Sequence, residues 1–189
     1  KVTERVVARD KTQSALVLGF PSASRTDADR FAAHVLASIA SGLGGRFFEE
    51  LRDKRSLAYT VHAFGSEYQL AGAFMAYIAT APERESEARD ALLEQFAALR
   101  SEPVADDELS RAKRYMLGMH DIRQERGGAV LGDIIDAWLF GEGLFELNEI
   151  AARIQAVGAA DIQRLAQNYF DPARVVEGVV RGQPASAAH

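Results

Sequence analysis

The chain contains no cysteine in its 189 residues, which excludes disulfides, thiolate nucleophiles and cysteine-ligated metals. Compartment stays open on that count, because a cysteine-free chain survives in oxidising and reducing surroundings alike. Histidine is scarce, with four residues: His34, His62, His120 and His189. A helical zinc pair needs two histidines on one face, as in H-x-x-E-H or H-E-x-x-H. His34 is followed by "VLAS" and His120 by "DIRQE", so neither has a partner and no metal site is expected from this chain. Positive charge is in deficit, with a net charge of −5 and no basic patch, which argues against a nucleic-acid partner. No apolar run reaches the roughly 18 residues of a membrane span. No serine sits in a G-x-S-x-G elbow. The run "GLGG", Gly42 to Gly45, is followed by Arg46, so it is neither a phosphate loop nor G-x-G-x-x-G. There is no internal repeat and no low-complexity segment.

What is present is apolar residue, 48% of the chain, enough for a packed globule with a sizeable core. The length suits one domain or at most two small ones; the expectation is a single α+β domain over residues 1–182 and a polar tail over 183–189. The opening "KVTERVVARDKTQ" has no apolar signal region and reads as chain that starts mid-protein, in a linker or a first strand.

"SALVLGF", Ser14 to Phe20, reads as a buried strand ended by Pro21. Thr26 is the expected N-cap of a helix carrying Phe31, Val35 and Ile39 at a spacing of four, with Asp27 and Asp29 in its first turn. Gly42 is expected to end it as a left-handed C-cap. A second helix over about 45–54 buries Phe47, Phe48 and Leu51. From Ser56 the period changes to two, placing Leu57, Tyr59, Val61 and Ala63 on one face of a strand. "GSEYQ" turns into an antiparallel strand from Leu70 to Thr80, apolar on both faces and so expected to be covered on both. Helices follow from Pro82 to about Arg100, from an Asp106 cap to about Arg123, through "AVLGDIIDAWLFG", and over 148–157 and 160–170. "RVVEGVV", Arg174 to Val180, is a last strand. Strands not separated one by one by helices argue for an α+β fold with a mostly antiparallel sheet and helices packed on it.

The stretch that carries chemistry is "LRDKRSLAY". A helix ending in Arg-x-x-Arg meets a strand bearing Tyr59, and Arg52 lies seven residues before it. One reading is structural: Arg52 contacts the helix end and Tyr59 packs in the sheet. The other is chemical. Arg offers permanent charge and Tyr an O–H donor, neither needing an unusual pKa, and two such donors can polarise a carbonyl and stabilise its oxyanion.

"GLGGRFFEELRDKRSLAYTVHA" resembles the second, non-zinc half of pitrilysin/insulinase-type zinc metallopeptidases, a family that includes mitochondrial processing peptidase and bacterial zinc proteases. That half shows a glycine-rich turn and then "S-R-L-F-x-E-L-R-E-K-R-G-L-A-Y". Phe47, Glu50, Leu51, Arg52, Lys54, Arg55, Leu57, Ala58 and Tyr59 fall in step with it. "GSEYQLAGAFMAYIAT", Glu108–Lys113 and "AADIQRLAQNYFDPARVVEGVV" also follow the family's course. The resemblance implies a fold in which two α+β halves close around an extended peptide like a clamshell. One half holds zinc through H-x-x-E-H and a distant Glu; the other contributes an Arg and a Tyr, here Arg52 and Tyr59. Gly42, Gly44, Gly45 and Arg55 would line the substrate side. This chain lacks H-x-x-E-H, so zinc and general base would come from another half, on the same polypeptide or a separate subunit, and the chain alone is expected to be inactive. Ser56 stands where the motif has Gly.

A non-catalytic scaffold subunit and a peptide-binding module that pairs an extended segment with an open sheet edge are the competing readings. In isolation the chain could pair with a copy of itself through the face that otherwise meets the other half. Compartment is not readable from the residues; bacterial members of the family are often periplasmic, and the resemblance leans that way.

Overall fold

The computed structural model describes residues 3–41, 44–141 and 143–183. The strands are β1 (Glu4–Ala8), β2 (Ser14–Ser22), β3 (Thr60–Glu67), β4 (Gly72–Thr80) and β5 (Val176–Arg181). The α-helices are α1 (Arg30–Ala40), α2 (Glu85–Ser101), α3 (Asp106–Gln124), α4 (Gly127–Phe140), α5 (Glu146–Ala156) and α6 (Ala159–Tyr169), with a π-helical segment over Phe48–Lys54. The sheet order is β1-β5-β2-β4-β3, antiparallel throughout except for the parallel β1–β5 pair. The fold is α+β with a mostly antiparallel open sheet.

Alternation along β2 and β4 sends Leu16, Leu18, Phe20, Phe74, Ala76 and Ile78 to the same side. There they meet Leu36 and Ile39 of α1, Leu92, Phe96 and Leu99 of α2, and Ile162 and Leu165 of α6. Phe96 is the centre of the core. Its ring lies 4.7 Å from that of Phe20, 5.0 Å from Phe170 and 5.5 Å from Phe47, between tilted and edge-on, the geometry aromatic quadrupoles favour. The opposite face of β4 is not covered as its apolar sequence suggests. Met75 and Tyr77 there are half-buried, and His62 and Phe64 of β3 stack beside them, their rings 5.6 Å apart. Among the described residues helices lie on one side of these strands only, and the second apolar face stays partly exposed.

Other local expectations are corrected by the geometry. β2 runs on through Pro21 to Ser22; β5 flanks it only as far as Gly19, so the missing N–H falls where one neighbour has already ended. Thr26 does not cap α1, which begins at Arg30 after Asp29. Asp27 instead turns back to accept hydrogen bonds from the Ser24 N–H and hydroxyl, both at 2.8 Å, which hold its carboxyl below the usual range. Ala105 precedes α3, so Asp106 opens its first turn, where the dipole favours negative charge, without capping it. α4 starts at Gly127, two residues before the expected "AVLGDIIDAWLFG" run opens at Ala129. The expected C-cap at Gly42 lies outside the described residues. So does the tail from residue 184; Gln183 still donates from its backbone to the Lys11 carbonyl at 2.9 Å.

One charged cluster ties distant elements together. Glu146 of α5 is fully buried and accepts from Arg25 at 2.7 Å and from Arg30 at 2.5 Å. Arg25 also reaches Asp136 of α4 at 3.2 Å, and Arg30 reaches Glu67 of β3, which His34 contacts in turn. The cluster fixes α4 and α5 against the end of the β3–β4 hairpin. Nothing in the spacing of these residues announces it, since Arg25 and Glu146 are 121 positions apart.

Candidate functional site

The segment between α1 and β3 folds into a wide turn of helix. Phe47 and Leu51 enter the core and leave Arg52, Asp53 and Lys54 outside. The π geometry widens the turn, a feature that recurs at functional sites, and residues four apart come close to alignment. Arg52 accordingly lies over the Phe48 ring, its guanidinium carbon 4.6 Å from the centroid. That contact orients the charge without engaging its N–H donors. Among the described residues the Arg52 side chain makes no ion pair or hydrogen bond. Lys54, two positions on, is instead bound to Glu50 at 2.6 Å and to Glu49 at 3.1 Å, which raise its pKa.

The helix closes at Ser56. The Ser56 N–H donates to the Arg52 carbonyl at 2.9 Å, and the Leu57 N–H reaches back to the Leu51 carbonyl at 2.8 Å. Leu57 is buried in the same core cluster as Leu51. This is a C-terminal closure of Schellman type, adapted to the wider turn. It requires a left-handed residue, and Ser56 adopts φ +49°. The motif's usual Gly thus has a physical reason here: that position needs positive φ, which glycine alone adopts without a Cβ penalty.

Arg84, just before α2, holds the turn from outside. Its guanidinium donates to the Ser56 carbonyl at 2.7 Å and the Arg55 carbonyl at 3.3 Å, and pairs with Glu87 at 2.9 and 3.0 Å. Glu87 raises the pKa of Arg84 and has its own lowered in return. Sequence reading missed this residue, and a cation 28 positions from the carbonyl it serves gives no signal in any local pattern.

After the turn the chain enters the sheet later than its alternation suggests. Tyr59 precedes β3; its backbone N–H donates to the Ala79 carbonyl of β4 at 3.1 Å, while its side chain is 74% exposed. It is therefore not packed with Val61 and Ala63. Arg52 and Tyr59 instead line the same open cavity of about 510 Å³, together with Asp53, Ser56 and Arg84. The remaining sequence-picked residues are placed elsewhere. Arg55 is paired with Glu94 at 2.7 Å and does not line this cavity. Gly44 lines a separate cavity of about 290 Å³ with Ser38, Glu108 and Tyr115. Gly45 is buried where a Cβ would stand 2.1 Å from the Ser41 carbonyl oxygen, so its glycine serves close backbone packing. Gly42 lies outside the described residues.

Two permanent or ready donors that share one open cavity can bind a carbonyl and the charge that develops on it. Among the described residues no group of three or more His, Asp or Glu is placed to hold a metal ion, and no helix is long and apolar enough to cross a membrane.

The family model described as the peptidase M16 inactive domain matches residues 1–116. An uncharacterized zinc protease of Streptomyces coelicolor is 27% identical over 187 residues, which is 97% of this chain and 41% of that protein. One of Mycobacterium leprae is 30% identical over 142 residues, 74% of this chain and 30% of that protein. The chain thus spans less than half the length of these curated relatives. A solved peptidase M16 inactive domain from Pseudomonas fluorescens superposes with a TM-score of 0.87 at 20% identity, over 100% of this chain and 45% of that one. The inactive peptidase domain of a protein from Bordetella parapertussis gives a TM-score of 0.80 at 20% identity, over 94% of this chain and 97% of that one.

Proposed function

This chain belongs to the peptidase M16 inactive domain family, and from that premise we propose that it is the substrate-side half of a zinc metalloendopeptidase. Arg52 and Tyr59 bind the backbone carbonyl of an extended peptide, while zinc and general base come from another half or subunit. The observation that carries the reading is the shared cavity: Arg52 and Tyr59 both line one space of about 510 Å³, and among the described residues Arg52 makes no ion pair. Zinc held by the other half supplies an activated water and a Lewis acid. Arg52, oriented by Phe48, supplies fixed positive charge. The Tyr59 hydroxyl donates a hydrogen bond to the same oxygen as it gains charge. Donors already in place reorganise little as the reaction proceeds, which is why such pairs act on turnover. The closure at Ser56, tethered by Arg84, lies between the two in the chain.

The test is cleavage of an unstructured peptide by this chain, by the matching zinc-bearing half, and by their mixture, with and without a chelator. Turnover only in the mixture, abolished by the chelator, supports the reading. An assembled mixture without turnover overturns it in favour of a scaffold or a peptide-binding module.

A further inference from the structure

Helix α4 touches the rest of the fold along one narrow line. Val130, Asp133 and Ala137 face inward, and of these only Ala137 is fully buried. Leu131, Ile134, Ile135, Trp138 and Leu139 occupy the next face, spaced i, i+3, i+4, i+7 and i+8, the pattern of a stripe that docks against protein. All five are exposed, Leu131 by 57% and Trp138 by 69%. Together they leave on the order of 500 Å² of apolar surface in water, near the upper end for a monomer. Phe140 at the end of α4 and Phe145 beyond it are exposed as well, and Phe140 shares a cavity with Tyr68 at the exposed tip of the β3–β4 hairpin. The buried Glu146 cluster, through Arg25 and Asp136, holds α4 in this presenting position. The stripe is therefore mounted on the core.

Its chemistry selects among occupants. Interfacial membrane helices carry Lys and Arg on their polar face; between Gly127 and Phe140 there are two Asp and no basic residue. A two-fold pair of copies would bring together two Asp136 side chains, each 57% exposed and paired with its own Arg25, with no cation on either α4 to answer the other. The relatives, by contrast, carry more than half of their length outside the matched region. A complex of standard size needs about 800 Å² from each partner, which the α4 stripe reaches once Phe140, Phe145 and the hairpin tip are added.

We propose that the α4 stripe centred on Trp138 is the surface on which the zinc-bearing half docks, with apolar side chains facing it inside a basic rim. The inference rests on the reading of this chain as one half of a peptidase. Trp138 is the only tryptophan in the chain, so it reports directly, provided the tryptophans of the zinc-bearing half are replaced by phenylalanine. The isolated chain is titrated with that half while Trp138 emission and sedimentation are followed, and peptide cleavage is measured on the same samples. The expected result is emission moving to shorter wavelength as the complex forms, with Ile135→Asp and Leu131→Asp each weakening assembly about thirtyfold, the effect of a hot-spot side chain. Both positions face solvent, so the melting temperature of the isolated variants stays unchanged. A complex that cleaves peptide while Trp138 stays in water overturns the inference and leaves the peptidase reading standing. A complex that buries Trp138 but never cleaves does the reverse. Burial of Trp138 by self-association alone, or on anionic vesicles alone, overturns the inference, and absence of any complex overturns both.

Discussion

Replacing Ser56 by glycine should stabilise the protein, and the structure gives the size of the effect. Ser56 holds φ at +49° to close the π-helical turn. A non-glycine residue in the left-handed region costs about 1–2 kcal/mol. Glycine relieves that cost but adds unfolded-state entropy, opposing the gain by about 0.5–1 kcal/mol. Little else is lost: the Ser56 side chain makes no hydrogen bond among the described residues, and Arg84 is bound to the backbone carbonyl, which Ser56→Gly retains. The net is about 0.5–1 kcal/mol of added stability, or roughly 1–4 °C in Tm for a chain of this size. Ser56→Val should move the other way, since a β-branched side chain fits positive φ worst. Urea and thermal unfolding of the three proteins measure the order directly. Glycine melting below serine, or valine level with it, would refute the claim that this turn stores backbone strain.

Other consequences follow from the same packing. Phe96→Ala, which empties the meeting point of the core rings, should cost about 3–5 kcal/mol in denaturant unfolding. Glu146→Ala leaves Arg25 and Arg30 buried without their shared carboxylate and should cost a similar 3–5 kcal/mol; a loss below 1 kcal/mol would mean that water reaches the cluster. Glu85 accepts from Arg181 at 2.5 Å and from Ser14 at 2.7 Å, and chiefly the Arg181 bond depresses its pKa. Because the folded value lies below the unfolded value near 4.3, its contribution is fully present above that pH and is lost as pH falls through the folded value. Glu85→Gln should therefore flatten the acid limb of a stability–pH curve and leave the neutral limb lower but parallel.

How much of this was legible in the sequence depends on the range of the interactions. Ala88, Leu92, Phe96 and Leu99 repeat at helical spacing and all face the core, because a helix buries one stripe whatever lies beyond it. β2 and β4 were readable from short apolar runs bounded by turn residues. Local pattern has no access to what covers a face. The second face of β4 and the outer arc of α4 are as apolar as core surfaces, yet among the described residues nothing fully covers either. Arg52 and Tyr59 could be selected by motif, but periodicity put Tyr59 inside the strand, where its neighbours are buried. The Ser56 closure delays the start of β3 to Thr60, and Tyr59 just before it stays exposed at the cavity that Arg52 also lines. The Arg84 tether and the Glu146 cluster join residues far apart in sequence, where spacing carries no signal.

On the proposed reading, Arg52 and Tyr59 act together on a substrate carbonyl as charge develops. The most direct measurement is steady-state kinetics of peptide cleavage by the assembled halves carrying Arg52→Ala, Tyr59→Phe and both. Each single change is expected to lower kcat by about 10²–10³ with a smaller change in KM, and the double change to cost less than the product of the two. A rise in KM at constant kcat, or full activity in either variant, would contradict it and return the pair to a helix-to-strand junction.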